Sequence, residues 1–250
     1  YLNMDSRYID DKKSLNDSLK QKGFVSFILS SLRVVYRNYI KRYLGFLYFK
    51  TFRQNSTFIF NNKKYKYFYH HYNFTHQNER CVEIAIATKN IKDNKNKRIL
   101  EVGNVISHYT DFSGDILDKY EKSKNVINQD AIDFEPKHKY DLIISISTLE
   151  HIGRDDGTND PDKIVAVLDN LRNCLTEQGH IIFTVPIAYN KNLDKYIKEK
   201  ILKVDGVYYL KRVSKNNKWI ETSAEEAYQC KYNNPYKAGN AICVGYIKAR

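Results

Sequence analysis

Short apolar runs that end on a polar or small residue recur through the second half of the chain. The first is Ile99–Val102, which contains Glu101 and is followed by Gly103. The cleanest is Tyr140–Ser147, which is apolar almost throughout, as a central parallel strand is. Apolar residues at helical spacing lie between the runs. This alternation predicts an α/β fold with a Rossmann-like, doubly wound and mostly parallel sheet.

The other runs complete the predicted sheet and two of its helices. Further strands are expected at Asp115–Asp118, Asn125–Ile127, His180–Pro186, Val207–Val213 and Ala241–Ile247. One helix should run from Arg80 to about Ile91, with Asn78–Glu79 as its cap. Another should begin at Asp160–Pro161, because Asp favours the N-cap and Pro favours the first helical turn.

The N-terminal part of the chain has a different pattern. Residues 1–23 are polar and charged, which predicts a loose helix or disorder. Residues 24–52 are rich in aliphatic and aromatic residues, and Arg33, Arg37 and Lys41 recur every four positions, on one helical face. The helix predicted here can pack its apolar face on the main domain, the interpretation we favour, or lie on an anionic membrane surface.

A β-hairpin and a polar connector follow this helix. The hairpin is predicted over Thr57–Tyr72, with its turn at Asn61–Asn62. The connector, Tyr72–Ile84, is dense in amide, hydroxyl and charged groups. It is either an ordinary capped helix start with a surface ion pair or a lid over a ligand site. The chain is therefore divided into an N-terminal extension of helix and hairpin, residues 1–79, and a main domain, residues 80–250.

Composition narrows the class of protein. An aromatic content of 14% excludes a disordered chain. The formal net charge of +12 fits a polyanionic partner, such as nucleic acid, a phosphorylated glycan or an anionic membrane, and it equally fits an AT-rich genome. The four cysteines form no C-x-x-C pair, which favours free thiols in a reducing compartment over disulfides or zinc. We therefore expect a cytoplasmic protein, with peripheral membrane association as an open alternative.

Acidic residues follow three successive strands. Glu101 and Gly103 lie at the end of the first, where open α/β sheets bind their ligands. Asp118 lies near the spacing at which a carboxylate accepts from both hydroxyls of a ribose. Asp130 follows the third strand, where it could accept from an adenine amino group. One such acid is usually a surface residue, whereas three at successive strand ends indicate a nucleotide-like cofactor.

Taken together, these residues resemble a class I S-adenosylmethionine-dependent methyltransferase from about Arg80 to Ile247. The family's sheet has seven strands with the last antiparallel, which the two late strands allow. The resemblance implies S-adenosylmethionine as cofactor. It places Glu101 and Gly103 beside the methionine part, Asp118 at the ribose, and Asp130 with Ala131 at the adenine; Asn104 and Ser145 complete the implied cofactor-binding set.

One departure from the family concerns the loop after the first strand. The family usually has E-x-G-x-G-x-G there, and this chain has Val105 and Ser107 at the second and third glycine positions. This predicts a looser hold on the cofactor, and it leaves open a catalytically silent binding protein with the methyltransferase fold. A nicotinamide dehydrogenase is disfavoured, since G-x-G-x-x-G is absent after the first strand.

The catalytic candidates are His151 and its neighbour Glu150. A sulfonium methyl group is already activated, so a hydroxyl acceptor needs mainly placement and a base. His151 follows the central strand and titrates near neutrality; its alternative role is a helix-start histidine that binds the backbone. The Glu-His pair also resembles metal-assisted methyltransferases, but Ser147 stands where their further Glu would be, so no metal is expected.

The acceptor is predicted from the polar connector. Tyr72, Asn73, Asn78 and Arg80 offer an aromatic face and several hydrogen-bonding groups, which suit a saccharide. We therefore expect O-methylation of a sugar, glycan or glycolipid, as in polysaccharide biosynthesis. An RNA methyltransferase is the alternative enzyme, favoured by the net charge but without a recognisable RNA-binding module.

Overall fold

The computed structural model describes residues 25–155, 157 and 160–250 of the chain. These residues form two compact units, which divide between Arg53 and Gln54. The prediction of a loose helix or disorder over residues 1–23 lies outside the described residues.

The described part of the first unit, residues 25–53, is almost entirely helical, as the sequence predicts. Helix α1 covers residues 25–35, and a π-helical turn, Tyr36–Ile40, joins it to helix α2, Lys41–Phe52. Within the described ranges, no helix is both long and apolar enough to cross a membrane.

The second unit begins with the predicted hairpin. Strands β1 (Thr57–Phe60) and β2 (Lys63–Lys66) pair antiparallel. Asn61 and Asn62 have φ values of 48° and 56°, which is the tight two-residue turn whose twist matches the strands. The second strand ends at Lys66 rather than Tyr72, because the chain then turns and the amide of Phe68 donates to the Cys81 carbonyl at 2.9 Å.

The main sheet has eight strands. Their bounds in chain order are β3 Ile99–Val102, β4 Asp115–Leu117, β5 Val126–Ile127, β6 Tyr140–Ile146, β7 Leu175–Pro186, β8 Gly206–Arg212, β9 Trp219–Thr222 and β10 Ala241–Lys248. The order across the sheet is β5-β4-β3-β6-β7-β10-β8-β9. The first five pair in parallel, and β10 runs antiparallel between β7 and β8. Seven strands thus form the predicted sheet, and β9 adds an eighth at its edge.

Helices cover both faces of this sheet. They are α3 Arg80–Asp93, α4 Lys163–Asn173, α5 Lys191–Lys198 and α6 Ala224–Tyr228. One apolar cluster joins α4 and α5 to one face, and a second joins α3 and the hairpin to the other. The predicted start of α4 at Asp160 was wrong, because Asp160 instead accepts the Asp162 amide at 3.1 Å in a turn that precedes the helix.

The two apolar clusters make the fold doubly wound, as predicted. Its strand order, with one antiparallel strand inserted next to the last parallel one, is that of the Rossmann-like class I methyltransferase sheet. All four cysteines are free, and Cys81, Cys174 and Cys243 are buried.

Candidate cofactor and acceptor site

The candidate site lies at the carboxyl ends of β3, β4 and β6. From β3 the chain moves outward to β4 and β5, and it then returns to place β6 on the other side of β3. Open α/β sheets bind ligands in the crevice at such a reversal. The predicted Glu101, Gly103, Asp118 and Ser145 all lie on or directly after these strands.

Gly103 is required by the geometry of the turn after β3. Its φ is +84°, and a Cβ atom there would lie 2.2 Å from Oγ1 of Thr148, which follows β6. The amide of Gly103 donates to the Leu117 carbonyl at 2.8 Å. The turn is therefore fixed between the ends of β4 and β6 and leaves no room for a side chain.

Glu101 holds the loop that follows this turn. Its Oε1 accepts from the amides of Val105 at 2.8 Å and Ile106 at 2.6 Å. Its Oε2 is buried and has no hydrogen-bond partner among the described residues. Val105 and Ser107 stand at positions where the methyltransferase pattern has glycines. The Glu101 carboxylate holds this loop through the two amides.

The burial of Glu101 makes stability depend on pH. Burial raises the pKa of Glu101 to about 7, although the Ile106 and Val105 amides oppose the rise. The unfolded chain loses this proton near its ordinary pKa of 4.5, so the contribution of Glu101 is fully present below that pH and is lost as the pH rises to about 7. We expect the free energy of unfolding to fall by roughly 3 kcal/mol over this range, relative to Glu101→Gln. Chemical denaturation of both proteins across the pH range measures it, and parallel curves would contradict the assignment.

Asp118 ties the loops after β3 and β4 together. Its Oδ1 accepts from the amides of Tyr120 and Glu121 at 2.8 Å each, and its Oδ2 accepts from the Asn104 amide at 3.2 Å. The Asn104 side chain donates to Glu121 Oε1 at 2.7 Å. Asp118 thus holds the two loops together as a rim beside the ends of β3 and β4, and its predicted role toward a ribose stays a prediction. Sequence reasoning missed Glu121, whose role appears only when the two loops meet.

Asp130 lies between two lysines. Its Oδ2 is 2.9 Å from Nζ of both Lys119 and Lys163. Burial would raise the pKa of Asp130, but the hydrogen bonds from Lys163 and Lys119 outweigh it and hold the pKa below its ordinary value. The Ala131 carbonyl accepts from the Asn170 side chain at 2.9 Å. No local pattern in the sequence indicates these lysines, because they come from α4 and from the loop after β4.

Ser145 lies inside the sheet. It is fully buried, and its hydroxyl donates to the Val102 carbonyl at 3.1 Å. Its observed contact therefore joins β6 to β3 beneath the loop, and its predicted role toward the cofactor stays a prediction.

A buried group of carboxylates surrounds Arg80 at the start of α3. Arg80 Nη1 lies 2.5 Å from Glu83 Oε2, and the Ser147 hydroxyl donates to Glu83 Oε1 at 2.7 Å. Glu79 accepts the Gly239 amide at 2.9 Å. The charges of Glu79, Glu83 and Glu150 all act on Arg80. Arg80 and Glu150, both predicted as site residues, therefore belong to the same acid cluster.

Burial raises the pKa of two carboxyl groups of this cluster, Glu79 and Glu150. Glu150 is 2% exposed, and its Oε2 has no hydrogen-bond partner among the described residues. Burial raises the pKa of Glu150 well above its ordinary value. A protonated Glu150 can donate a hydrogen bond to an oxygen of a ligand.

His151 is paired with an acid that the sequence analysis missed. Its Nδ1 lies 2.5 Å from Asp155 Oδ2, and its Nε2 lies 3.9 Å from Glu150 Oε1. The Tyr189 hydroxyl donates to Asp155 Oδ2 at 3.1 Å. Burial lowers the pKa of His151 and outweighs the opposing effect of Asp155, so the ring is neutral near pH 7. The spacing of four residues between His151 and Asp155 could have indicated this pair from the sequence, since residues four apart on a helical turn lie side by side.

The polar connector lies against the loop after β3. The Tyr72 ring stacks on His108 with centroids 5.0 Å apart and meets Tyr109 at 5.3 Å. Asn73 has a φ of 53° and its side chain binds Tyr109. The Asn78 side chain donates to the Asn73 carbonyl at 2.9 Å and accepts the Arg80 amide, so it supports the connector itself.

Two further observations concern metal ligands and the position of a cavity. Among residues 25–155, 157 and 160–250, no three His, Cys, Asp or Glu side chains converge as metal ligands. A cavity of about 1080 Å³, lined in part by Arg172, Lys198 and Tyr228, lies where β8 begins. Since β8 runs parallel to β7, this cavity is at the opposite edge of the sheet.

The structure has distant likenesses among solved methyltransferases. N-methyltransferase NodS from Bradyrhizobium japonicum WM9, in complex with S-adenosyl-L-homocysteine, matches 65% of this chain and 84% of its own, with 11% identity and a TM-score of 0.40. An S-adenosylmethionine-dependent methyltransferase from Clostridium acetobutylicum ATCC 824 matches 84% of this chain and 100% of its own, with 12% identity and a TM-score of 0.37. A possible histamine N-methyltransferase from Thermotoga maritima matches 61% of this chain and 82% of its own, with 10% identity and a TM-score of 0.38.

No family model and no curated protein matches the sequence. Because the identities and TM-scores of the structural likenesses are low, the fold assignment rests on the strand order itself. The chain has the Rossmann-like fold of class I methyltransferases, with its candidate site at the carboxyl edge of the sheet.

Proposed function

We propose that this protein is an S-adenosylmethionine-dependent methyltransferase that methylates a hydroxyl group of a sugar, glycan or glycolipid. The observation that carries the proposal is the meeting of the Gly103 turn, the Glu101 carboxyl and the Asp118 rim beside the pair of His151 and Asp155. The first three suit a nucleotide-like cofactor, and the pair suits removal of a proton from an acceptor.

The residues at the end of β3 fit this cofactor. The positive φ of Gly103 turns the chain sharply at the carboxyl edge of the sheet, where open α/β sheets bind their ligands. The unpartnered Glu101 Oε2 suits a hydrogen-bond donor, such as the ammonium group of a methionine moiety. Asp118 would hold the ribose, and Asp130 with Ala131 the adenine. The bound cofactor would supply an activated methyl group.

His151 then acts as the general base in this proposal. Asp155 holds a proton on Nδ1, which leaves Nε2 free to accept the proton of the acceptor hydroxyl. The lowered pKa keeps the ring neutral at pH 7, so it is ready to accept that proton. Glu150, with its raised pKa, donates a hydrogen bond that orients the acceptor.

A saccharide acceptor suits the groups around this base. Tyr189 meets the His151 ring at 5.1 Å and the Tyr232 ring at 5.1 Å. Tyr72 is 45% exposed on the connector, where it offers an aromatic face. Asn73 adds a neutral polar group, which suits hydroxyls better than phosphates, whereas the Asn78 side chain is bonded within the connector.

Cofactor binding is tested first, by titration calorimetry with S-adenosylmethionine. Asp118→Ala should weaken binding by about 1–3 kcal/mol, because it removes a carboxylate that accepts hydrogen bonds and loosens the rim. Asp133→Ala, an exposed acid three residues beyond Asp130, is the matched control and should bind as wild type does. The lack of binding by wild type, or equal binding by both variants, would refute the assignment.

The acceptor is tested by transfer of labelled methyl groups to saccharides and RNA at increasing salt. Transfer to a saccharide that changes little with salt supports the proposal. RNA binding that falls steeply with salt, without transfer to any saccharide, would favour the RNA methyltransferase, which the net charge of +12 makes the second candidate. Cofactor binding without any transfer would indicate the catalytically silent binding protein.

A further inference from the structure

The helical segment of residues 25–53 carries a stripe of exposed apolar side chains. Large apolar side chains recur on it every three or four residues and are 40–67% exposed: Ile28, Leu32, Val35, Tyr36, Tyr39, Tyr43 and Leu47. The spacing places them along one side of the helix. Soluble surfaces rarely show so long a continuous apolar stripe without a binding role.

Exposed basic residues lie on the same segment as the stripe, and the surrounding sequence holds no acidic residue. Arg33, Lys41 and Lys50 are exposed on the same segment. The sequence holds no Asp or Glu from residue 18 to residue 78, although it holds 11 Lys and Arg there. The net charge of +12 is therefore concentrated in the N-terminal third of the chain.

The combination of an apolar stripe with basic residues favours one kind of partner. RNA would use the basic residues, but it would leave the Leu, Ile and Val side chains in water. A second copy of the segment would cover the apolar stripe, but it would bring two sets of positive charges together without an acid to offset them. An anionic lipid surface accepts both features, since the apolar side chains enter the acyl boundary and the cations meet the headgroups. Tyr side chains favour that interface as well.

We propose that residues 25–53 bind the surface of a membrane that contains anionic phospholipid, with the apolar stripe in the headgroup and acyl boundary. The one-sided apolar stripe suits a helix that lies in the plane of the interface, and no helix among the described residues is both long and apolar enough to cross a membrane. The proposal does not depend on methyl transfer, and its test needs no acceptor.

Vesicle flotation of the full 250-residue chain tests the lipid preference. Binding to vesicles of equal parts phosphatidylglycerol and phosphatidylcholine should be strong, and binding to pure phosphatidylcholine should be weak. The double variant Arg33→Glu and Lys41→Glu should bind about 25-fold or more weakly, since each cation near an anionic surface contributes about a fivefold factor. Lys215→Glu with Lys248→Glu makes the same change in net charge on exposed residues of the larger unit and should bind as wild type does.

Separate variants test the apolar stripe. Leu32→Asp, in which the exposed Leu becomes charged, should weaken binding about tenfold or more. Ile201→Asp, at a position 44% exposed in the larger unit, is its matched control and should have no effect. Since both positions are exposed, circular dichroism should show unchanged folding.

Tryptophan fluorescence tests insertion directly. Tyr39→Trp should shift its emission to the blue on anionic vesicles, whereas Tyr120→Trp, 59% exposed elsewhere in the chain, should not. The native Trp219 is 1% exposed and gives a constant background. The proposal would be overturned if the protein bound neutral and anionic vesicles equally or if the control variants weakened binding as much as the test variants. A stable dimer that does not bind vesicles would also overturn it.

Discussion

Replacing Arg80 by alanine is expected to lower the free energy of unfolding by about 3–5 kcal/mol. The guanidinium lies 2.5 Å from Glu83, whose side chain is fully buried, and its removal leaves that carboxylate buried without its cation. Urea denaturation measures the loss.

Lys89→Ala is the matched control for Arg80→Ala. Lys89 also lies on α3 and pairs with Asp93 at 2.5 Å, but both side chains are about half exposed, at 48% and 52%. Solvent screens such a pair, so its loss should cost less than about 1 kcal/mol. The double variant Arg80→Met and Glu83→Gln should recover part of the stability, because no uncompensated charge remains at this pair. Equal costs at Arg80 and Lys89 would mean that the acid cluster is not a buried electrostatic unit.

Replacing His151 by alanine is expected to lower turnover by roughly 10²–10⁴-fold and to leave the affinity for S-adenosylmethionine nearly unchanged. The reason is the position of the ring, held by Asp155 at 2.5 Å and next to Glu150. His138→Ala, an exposed histidine just before β6 and so at the amino edge of the sheet, should retain full activity. Steady-state rates with an identified acceptor, together with calorimetry for the cofactor, measure both effects.

The pH dependence of turnover separates a base from a merely structural histidine. The lowered pKa of His151 places the rise of activity with pH below the ordinary 6.5 of a histidine. Asp155→Asn removes an interaction that raises this pKa, so the rise should move to still lower pH while maximal turnover falls. Full turnover in His151→Ala, or an unchanged profile in Asp155→Asn, would reduce these residues to structural roles.

The sheet was predictable because each central strand is a local pattern. Tyr140–Ile146 and Ile99–Val102 are apolar runs that need no knowledge of their neighbours. Strand β9 was missed, because Trp-Ile-Glu-Thr is short and mixed and becomes a strand only through pairing with β8. The short helices α5 and α6 were missed for a similar reason, since only Leu193 and Ile197 of α5 and Ala227 of α6 are buried.

The site was predictable in its position and less so in its contacts. Acids after strands mark the carboxyl edge of the sheet, which is why the sequence pattern selects Glu101, Asp118 and Asp130 as candidates, and the structure places them at that edge. Their actual partners come from distant parts of the chain, such as Lys163 on α4, and no local pattern reports such pairs. The hydrogen bonds from the Val105 and Ile106 amides to Glu101 are likewise visible only in the folded loop.

The hairpin at the start of the larger unit bears on aggregation. A sheet edge with free amides and carbonyls can pair with the edge of another molecule and start an aggregate. At one edge, β5 has only two residues, too few to template a strand. At the other, the Asn61 amide at the hairpin turn donates to Glu221 of β9 at 3.0 Å, so the hairpin reaches that edge. A chain cut after the hairpin would expose β9 and should precipitate from the refolding mixture at concentrations at which the intact chain stays dispersed.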